Sequence, residues 1–483
     1  MIESLSQSNL HRIAGGVQVP AYDRNRTGVG IVHFGPGAFH RAHQAWYVEN
    51  LLARDPRWGI CGVSLRSRDV RDALVPQDGL YTLATLDEQI SYRVIGALQE
   101  ICVAPEDPER VLRRLSAPAT RVVTITVTEK GYCLSGDGSL DMAHPDIVRD
   151  TSHAQTPSSL IGYLTEALSR RRTAGVDPLT IISCDNLVDN GARLAKAVVQ
   201  FAGTRDSGLA QWIQERVPFP GTMVDSITPA TTDALRERVA HAMGVSDRWP
   251  VQRESFIQWV MEDCSGSKLE SPDWEGAGVI LTDDVGAYDR AKLRLLNGAH
   301  STLAYLGLLA GYETVSAAMA DEELAQLVTV LMKEDIRPTI QPPRGLDPDA
   351  YIAAILQRFR NPALRHALAQ IAWDGSQKLP FRILGTIADA LAALRPIDRL
   401  CIPIAAWMHF IRRRAMAGES VVDPLSTRLL EIGAACQNRS STDVPAFLTL
   451  DTVFPRSLAG EERFRAALAR AYDALTLGTR PVR

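Results

Sequence analysis

The chain has few cysteines and no strong excess of charge of either sign. Its seven cysteines are widely scattered and none forms a Cys-x-x-Cys pair, so neither a disulfide framework nor a zinc ribbon is predicted. The formal net charge is -4 and lysine and arginine are spread along the chain, which argues against a nucleic-acid partner. Long apolar runs are also absent, so we expect no membrane-spanning segment.

What remains is the composition of an ordinary globular protein, with 46% hydrophobic and 22% charged residues. The 483 residues suffice for two or three domains with substantial cores. The segment Met1–Ser8 has neither a basic start nor an apolar core, so a secretory signal is not expected. Several cysteines lie in apolar runs, where a reduced thiol behaves as a small hydrophobe. A cytoplasmic enzyme is therefore the default expectation.

Apolar, β-branched runs alternate with helical patterns through the first part of the chain. Strands are predicted at 28–34, 58–65, 121–128, 179–184 and 278–282. Helices are predicted at 38–52, 107–115 and 158–171, after a polar lead-in with short helical pieces at 1–28. The polar stretch 142–156 contains proline and is predicted to be a loop. Such alternation favours an α/β fold with a parallel, doubly wound sheet.

The character of the sequence changes from Asp284, and most of the stretch from Ala291 to Leu477 has the pattern of amphipathic helices. Breaks are predicted near 338–348, 374–380 and 423–424. We therefore predict a Rossmann-type, dinucleotide-binding α/β domain at 1–285 and a mainly α-helical, substrate-binding domain at 286–483.

A glycine turn, Gly35-Pro-Gly37, follows the first predicted strand and precedes a predicted helix. This is the context of a dinucleotide fingerprint, in which glycines let the backbone approach a pyrophosphate at a helix N-terminus. His40 stands where the third glycine of that pattern is usual, so a plain tight turn is the alternative. A dinucleotide cofactor bound at Gly35 and Gly37 is the prediction.

The end of the second strand, Arg66-Ser-Arg68-Asp69, bears on the choice of dinucleotide. An acid such as Asp69 accepts from the ribose 2′-hydroxyl of NAD, whereas Arg68 could accommodate the 2′-phosphate of NADP. NAD is therefore predicted as cofactor, with NADP possible; a solvated charged loop is the alternative. Glu129 follows a later strand, at the position where nicotinamide is expected.

The segment Lys292–His300 puts an amine, the Asn297 amide and an imidazole into nine residues of helix-forming sequence. At about 100° per residue, these side chains fall within an arc of about 140° on one helix. An amine partly removed from water can serve as a base, and neutral donors beside it could hold a developing negative charge. The alternatives are a solvated lysine, a helix C-cap at Asn297-Gly298 and a core histidine.

These motifs together resemble the polyol-specific long-chain dehydrogenases, the mannitol dehydrogenase family. The matching segments, in chain order, are Phe34–His43, Thr126–Tyr132, Ser183–Leu187, Met223–Pro229, Lys292–His300 and Asp374–Pro380. The resemblance implies NAD or NADP without a metal ion, a Rossmann-type domain followed by a helical domain, and an active site in the cleft between them. It places Phe39 and Arg41, within the first motif, among the cofactor-binding residues. It also implies a monomer or weak oligomer.

By resemblance, Lys292 is the catalytic acid/base. Asn297 and Asn186 match the pair of amides that bond the reacting oxygen, and His300 and Lys378 match substrate-positioning residues. In alcohol oxidation, neutral Lys292 would accept the hydroxyl proton while a hydride leaves for the nicotinamide.

The expected reaction interconverts a sugar alcohol and its ketose, with mannitol and fructose as the leading pair and arabinitol as another possibility. The closest rival is a hexuronate (fructuronate) reductase, whose substrate carboxylate would need a fixed cation such as Lys378 or Arg382. Asp225 is implied as an acid near the site. Two further alternatives are a non-catalytic dinucleotide sensor and a lysine that forms a Schiff base.

Overall fold

The computed structural model describes residues 3–87 and 89–477. The chain forms two compact units, Met1–Gly286 and Ala287–Arg483. Residues 1–2, which begin the predicted lead-in, and residues 478–483, which end the predicted helical domain, lie outside the described residues. Within the described part of the chain, no helix combines the length and apolar character needed to cross a bilayer.

Among the described residues, the strands all lie before residue 283. They are β1 (Val29–Phe34), β2 (Gly59–Ser64), β3 (Tyr81–Leu86), β4 (Ser91–Ile95), β5 (Leu98–Val103), β6 (Val122–Ile125), β7 (Thr180–Ser183), β8 (Thr222–Asp225), β9 (Val251–Glu254), β10 (Gln258–Glu262) and β11 (Ile280–Thr282). The main sheet has the order β5-β2-β1-β6-β7 and every neighbouring pair in it is parallel. Two three-stranded sheets have the orders β11-β10-β8 and β4-β3-β9.

The main sheet confirms the predicted Rossmann-type fold. Its strands β6 and β7 are short, mainly β-branched runs that are buried along their whole length, as is typical of parallel strands with helices on both faces. Phe34 ends β1 in register with Val63 of β2 on one side and Ile125 of β6 on the other. The strand order reverses at β1, and ligands of open α/β sheets bind beyond the carboxyl ends of the strands at such a point.

The helices of the first unit connect and cover these strands. They are α1 (Ala38–Ala42), α2 (Gln44–Leu52), α3 (Asp69–Leu74), α4 (Pro108–Ser116), α5 (Pro145–Ser152), α6 (Leu160–Ala174), α7 (Asn190–Gly203), α8 (Ser207–Arg216), α9 (Asp233–Met243) and α10 (Trp274–Ala277). Short 3-10 turns at Gln7–Arg12 and Arg24–Arg26 match the predicted lead-in.

Two expectations about this unit are wrong. The predicted loop 142–156 contains α5, which starts with a proline at its first position and buries Ile147. The predicted helix 38–52 is interrupted at His43, where φ is -117° and ψ is -88°.

From Val285 to Leu477 the chain is mainly helical. The helices are α11 (Val285–Ala291), α12 (Gly298–Ala310), α13 (Val315–Met319), α14 (Glu322–Val330), α15 (Pro348–Arg360), α16 (Leu368–Ile371), α17 (Gly375–Leu379), α18 (Gly385–Ala392), α19 (Asp398–Met416), α20 (Ser426–Ala435), α21 (Ser440–Leu448), α22 (Arg456–Ala459) and α23 (Glu462–Thr476). Helices α12 and α19 are largely buried and pack against each other at the centre of the second unit.

Three segments of the second unit are π-helical: Lys292–Asn297 between α11 and α12, Leu331–Ile336 after α14, and Pro380–Leu384 between α17 and α18. The predicted break at 374–380 is confirmed only at its start, where a turn that ends at Asp374, with a left-handed backbone (φ 55°), separates α16 from α17; residues 375–380 are helical. π-Turns inside helices are uncommon and are frequent at functional sites. Two of the three contain predicted site residues.

Candidate active site

The glycine turn lies at the carboxyl end of β1. Gly35 has φ 87°, and a Cβ atom there would collide with the carbonyl oxygen of Thr126, so this position requires glycine. Gly37 is exposed and precedes α1; the nearest atom to a Cβ there would be Gly35 O at 3.9 Å. The turn is therefore locked between neighbouring strands on one side and leaves open space above Gly37 on the other. A dinucleotide pyrophosphate fits such a turn.

The histidines around this turn are packing groups. His33 is buried in β1, and its ring nitrogens lie 2.7 Å from Thr124 Oγ1 and 2.8 Å from Thr126 Oγ1. The His40 ring stacks on it at 3.4 Å between centroids. Burial lowers the pKa of His33 to about 3 and holds the pKa of His40 well below its ordinary 6.5, so both rings are neutral near pH 7.

Arg41 does not face the turn. Its side chain is fully buried, donates from Nη1 to Trp249 O at 2.6 Å and lies over the rings of Tyr81 and Trp249. A guanidinium with no accessible surface would have to rearrange to contact a cofactor, so the predicted cofactor contact from Arg41 stays a prediction that this packing does not favour. Phe39, on the same short helix, is only partly buried and stacks on His43 at 4.9 Å.

The residues predicted to read the ribose are accessible. Arg68 and Asp69 follow β2 and are both exposed. Asp69 is the first residue of α3, and Arg68 Nε lies 3.6 Å from a Glu106 carboxylate oxygen. β2 neighbours β1 in the sheet, so these residues extend the same carboxyl edge on which the glycine turn lies.

The ends of β6 and β7 lie on the other side of the turn. Glu129 follows β6 and is exposed, and Asn186 follows β7 and is also exposed. Between them lies Asp185, whose carboxylate accepts hydrogen bonds from the backbone N–H groups of Val127 (3.0 Å) and Thr128 (2.9 Å). Asp185 lies in the segment Ser183–Leu187 that carries part of the family resemblance, but the sequence indicated no role for it.

Asp225 ends β8 as a buried residue and pairs across the strands with Gln258. It thus lies in one of the smaller sheets rather than in the main sheet with the glycine turn. Its placement near a substrate stays a prediction.

Lys292, Asn297 and His300 are all buried, with 7%, 9% and 6% of their surface exposed. The expected geometry, a regular α-helix over the whole segment, is wrong, because Lys292–Asn297 is a π-turn. Backbone hydrogen bonds in a π-turn join residues five apart, so Lys292 and Asn297 lie on more nearly the same side than the 140° arc of an α-helix allows. The amine and the amide are therefore better aligned than the sequence suggested.

A second π-turn brings a cation to the same helix. Arg382, within Pro380–Leu384, donates from Nη1 to Ser301 Oγ at 3.0 Å, next to His300. Lys378 lies one turn earlier in α17, half-buried, with its Nζ 3.5 Å from Ile371 O. The second unit thus brings Arg382 and the Lys292–His300 segment together, and Lys378 lies close by along the chain.

The His300 imidazole is neutral. Its ring lies 4.4 Å from Phe359 and 5.1 Å from the edge-on ring of His366. Burial, followed by repulsion from His366, Arg358 and Arg382, holds its pKa well below 6.5. Its Nε2 is buried without a hydrogen-bond partner among the described residues, as expected of a group that would bond a substrate hydroxyl. Sequence reasoning missed Arg358 and His366, because neither lies in a motif.

Two clusters bring possible metal-ligand atoms together: Cys61 with Glu100 and Cys102, and Cys133 with His144 and Asp146. In the first, Glu100 is paired with Arg114. In the second, His144 Nδ1 accepts the backbone N–H of Asp146 at 3.2 Å, and Arg66 lies 3.4 Å from the Asp146 carboxylate. These contacts account for both clusters without an ion, and a metal-free reaction stays a prediction.

A parallel sheet with a glycine turn at its strand reversal, followed by a helical unit with a buried lysine, amide and imidazole, defines a Rossmann-type oxidoreductase. Residues 29–276 match the mannitol dehydrogenase Rossmann domain, and residues 284–476 match the mannitol dehydrogenase C-terminal domain. The chain belongs to the mannitol dehydrogenase family.

Named relatives cover nearly the whole chain. A D-mannonate oxidoreductase of Escherichia coli (strain K12) is 39% identical over 465 residues, which are 94% of this chain and 95% of that protein. A mannitol 2-dehydrogenase of Aspergillus fumigatus (strain CBS 144.89 / FGSC A1163 / CEA10) is 37% identical, covering 97% of this chain and 96% of its own. The structure of Pseudomonas fluorescens mannitol 2-dehydrogenase in ternary complex with NAD and D-mannitol is similar, with a TM-score of 0.84 and 35% identity over 99% of this chain and 97% of that one.

Proposed function

We propose that this protein is an NAD-dependent oxidoreductase that interconverts a sugar alcohol and its ketose, with mannitol and fructose as the leading pair. The observation that carries the proposal is the π-turn that aligns buried Lys292 and Asn297 beside neutral His300. The whole-length likeness to a mannitol 2-dehydrogenase that binds NAD and D-mannitol supports the choice of substrate and cofactor.

The residues of the glycine turn fit a dinucleotide. Gly35 packs where no side chain would fit, and Gly37 leaves its backbone open for a pyrophosphate. Asp69 would accept from the ribose 2′-hydroxyl, and Glu129 would lie by the nicotinamide. When bound, NAD supplies the hydride acceptor. NADP is possible because Arg68 lies beside Asp69 and could pair with a 2′-phosphate.

Lys292 would act on the proton of the reacting hydroxyl. As a neutral amine it would take that proton during oxidation, and as an ammonium it would return it to the carbonyl oxygen during reduction. Asn297, and by resemblance Asn186, would donate N–H groups to the same oxygen, where negative charge develops. Neutral His300 would hold a neighbouring hydroxyl, and Lys378 would fix the far end of the substrate.

A second candidate is a hexuronate reductase, and a specific observation favours it. The positive charges of Arg382 and buried Arg358 both lower the pKa of His300. A sugar chain bound at His300 would therefore lie beside guanidinium groups. A carboxylate forms strong, charge-assisted hydrogen bonds with guanidinium, whereas a polyol gains less from a fixed cation. The 39% identity to a D-mannonate oxidoreductase points the same way.

Steady-state rates with mannitol, arabinitol, sorbitol and fructuronate, each with NAD or NADP and its reduced form, would test both candidates. Turnover of mannitol with NAD as the best pair supports the first. Turnover of fructuronate alone would refute it and support the second. Tight dinucleotide binding without turnover of any substrate would point to a non-catalytic sensor.

A further inference from the structure

The turn after β6 contains a strained residue. Thr128 has φ 69° and ψ 163°, a region that is essentially restricted to glycine. Threonine is β-branched, so the clash between its side chain and its backbone is more severe than for most residues. The next residues, Glu129–Tyr132, form a short 3-10 turn. The strain therefore lies at the carboxyl edge of the main sheet, beside the glycine turn.

One carboxylate holds this conformation. Asp185 Oδ1 accepts the N–H of Thr128 at 2.9 Å, and Oδ2 accepts the N–H of Val127 at 3.0 Å and the hydroxyl of Tyr132 at 2.7 Å. The Tyr132 hydroxyl also lies 2.6 Å from Ser183 Oγ on β7. Both sides of the strained residue are thus fixed to the same side chain.

Asp185 also precedes Asn186 in the chain. Strands β6 and β7 are parallel neighbours, with Ile125 opposite Ser183, so the segments that leave them start side by side. A shift of the Asp185 side chain would therefore move the β6 turn and Asn186 relative to each other.

We propose that Asp185 is a positioning residue, which holds Thr128 in its left-handed conformation and thereby sets Glu129 and Asn186 against the nicotinamide and the reacting oxygen. The inference rests on the proposed function, since it requires a dinucleotide at this edge of the sheet. A glycine at 128 would reach the same backbone without strain. A strained threonine in a turn that three hydrogen bonds tie to one carboxylate has fewer alternative conformations, which suits a site that must be fixed before substrate arrives.

Asp150 provides a matched control. It is a buried carboxylate in the same unit and accepts four hydrogen bonds, from the N–H and Oγ of Ser158 and of Ser159. Ser159 has an ordinary extended backbone (φ -90°) and begins α6. Asp150 therefore stabilises a helix start without holding a strained residue beside the proposed cofactor site.

The test is a substitution cycle on the full-length protein. Asp185→Asn should lower kcat by about 10- to 100-fold, because a strained residue stores energy of that size and the turn relaxes without its anchor. The Kd of NADH should change little, since the glycine turn is intact. Adding Thr128→Gly should recover most of the lost kcat, because glycine adopts this backbone freely, whereas adding Thr128→Ala should not.

Four outcomes are decisive. The proposal is supported if Thr128→Gly, but not Thr128→Ala, recovers the kcat lost in Asp185→Asn and if Asp150→Asn has a normal kcat. A double variant as slow as Asp185→Asn overturns it, as does an equal loss of kcat in Asp150→Asn. If Asp185→Asn does not fold, the same cycle is run with Tyr132→Phe, which removes one of the three donors. This variant should lose less kcat, and Thr128→Gly should again recover it. A loss of kcat that Thr128→Gly does not recover overturns the proposal.

Failure of the proposed function would look different. It would appear as no turnover by the unsubstituted protein with any substrate of the panel. In that case Tm still reports on the anchor: Thr128→Gly should recover part of the Tm lost in Asp185→Asn, and no recovery would overturn the inference independently.

Discussion

Replacing Gly35 with alanine should destabilise the first unit and weaken dinucleotide binding together. The Cβ atom would collide with the carbonyl oxygen of Thr126, and the backbone would stay at φ 87°, where an L-residue is strained. β1 and β6 would have to separate to make room. The bonds at risk are those from Thr126 N to Phe34 O and from Thr126 Oγ1 to Gly35 O, each 2.8 Å long.

The expected magnitude follows from these contacts. The left-handed backbone costs about 1–2 kcal/mol for a residue with a Cβ. Each of the two weakened hydrogen bonds contributes about 0.5–1.5 kcal/mol net, for a sum of about 2–5 kcal/mol. At about 2–4 °C per kcal/mol, the Tm of the first unit should fall by roughly 4–20 °C.

Gly37→Ala is the matched control for stability. Its Cβ would meet no atom closer than 3.9 Å, so the Tm should be nearly unchanged. The new methyl group would nevertheless occupy the space where a pyrophosphate must approach, so the Kd of NADH, measured by fluorescence titration, should rise. A Gly37→Ala variant with normal NADH affinity would refute the placement of the cofactor, and a Gly35→Ala variant with normal Tm would refute the steric argument.

Three further predictions concern charge and protons. Lys292→Ala should lower kcat by about 10²–10⁴-fold with little change in the Kd of NADH. The control is Lys333→Ala, an exposed lysine in another π-turn, which should leave kcat unchanged. Retained turnover in Lys292→Ala would refute the assignment of Lys292 as the base. Arg382→Met should raise the KM of fructuronate by about 10- to 100-fold if a carboxylate binds there, and equal effects on mannitol and fructuronate would argue against that contact. The pKa of His33 is lowered from 6.5 to about 3 by burial, so the folded protein binds fewer protons than the unfolded chain between these values. The contribution of the neutral His33 ring to the free energy of unfolding is therefore fully present above pH 6.5. It should fall by up to about 1.4 kcal/mol per pH unit as the pH decreases from 6.5 towards 3. In urea unfolding at pH 7 and pH 5, His40→Phe should show a shallower loss, and an unchanged pH dependence would contradict this reasoning.

Four strands of the parallel sheet, β1, β2, β6 and β7, were predictable because they are almost wholly buried and read as apolar runs. The edge strand β5 was missed, because Gln99 and Glu100 interrupt its apolar pattern. Strand β4 was missed, because its residues Ser91–Ile95 start exposed and include an arginine, so no apolar run marks it. Helix α5 was mistaken for a loop because a proline at a first helical position looks like a break in a pattern.

The candidate site was predictable only in part. Lys292 and the glycine turn lie in motifs whose spacing carries chemistry. Arg41 lies in such a motif too, but its guanidinium is buried against Trp249. Trp249 is distant in sequence, so the residues around Arg41 do not predict this burial. Asp185 gains its role from three donors in the turn that follows the neighbouring strand β6, and Thr128 gains its strain from that anchor. Contacts of this kind depend on sheet order, which local patterns do not encode.

The π-turn at Lys292–Asn297 determines how a deletion in this segment should affect the protein. Such a turn is equivalent to one extra residue within an α-helix, and one residue corresponds to a rotation of about 100°. In the sequence, the apolar stripes of α11 and α12 are therefore offset by one residue, although the two helices continue each other in space. Deleting one residue between Lys292 and Asn297 would restore a regular helix in which the lysine and the amide are four residues apart, about 40° around the axis, so both would still lie on the side of His300. A deletion of one residue in this segment should thus be far less damaging than a deletion of one residue within α12, which would turn the rest of that buried helix by about 100°.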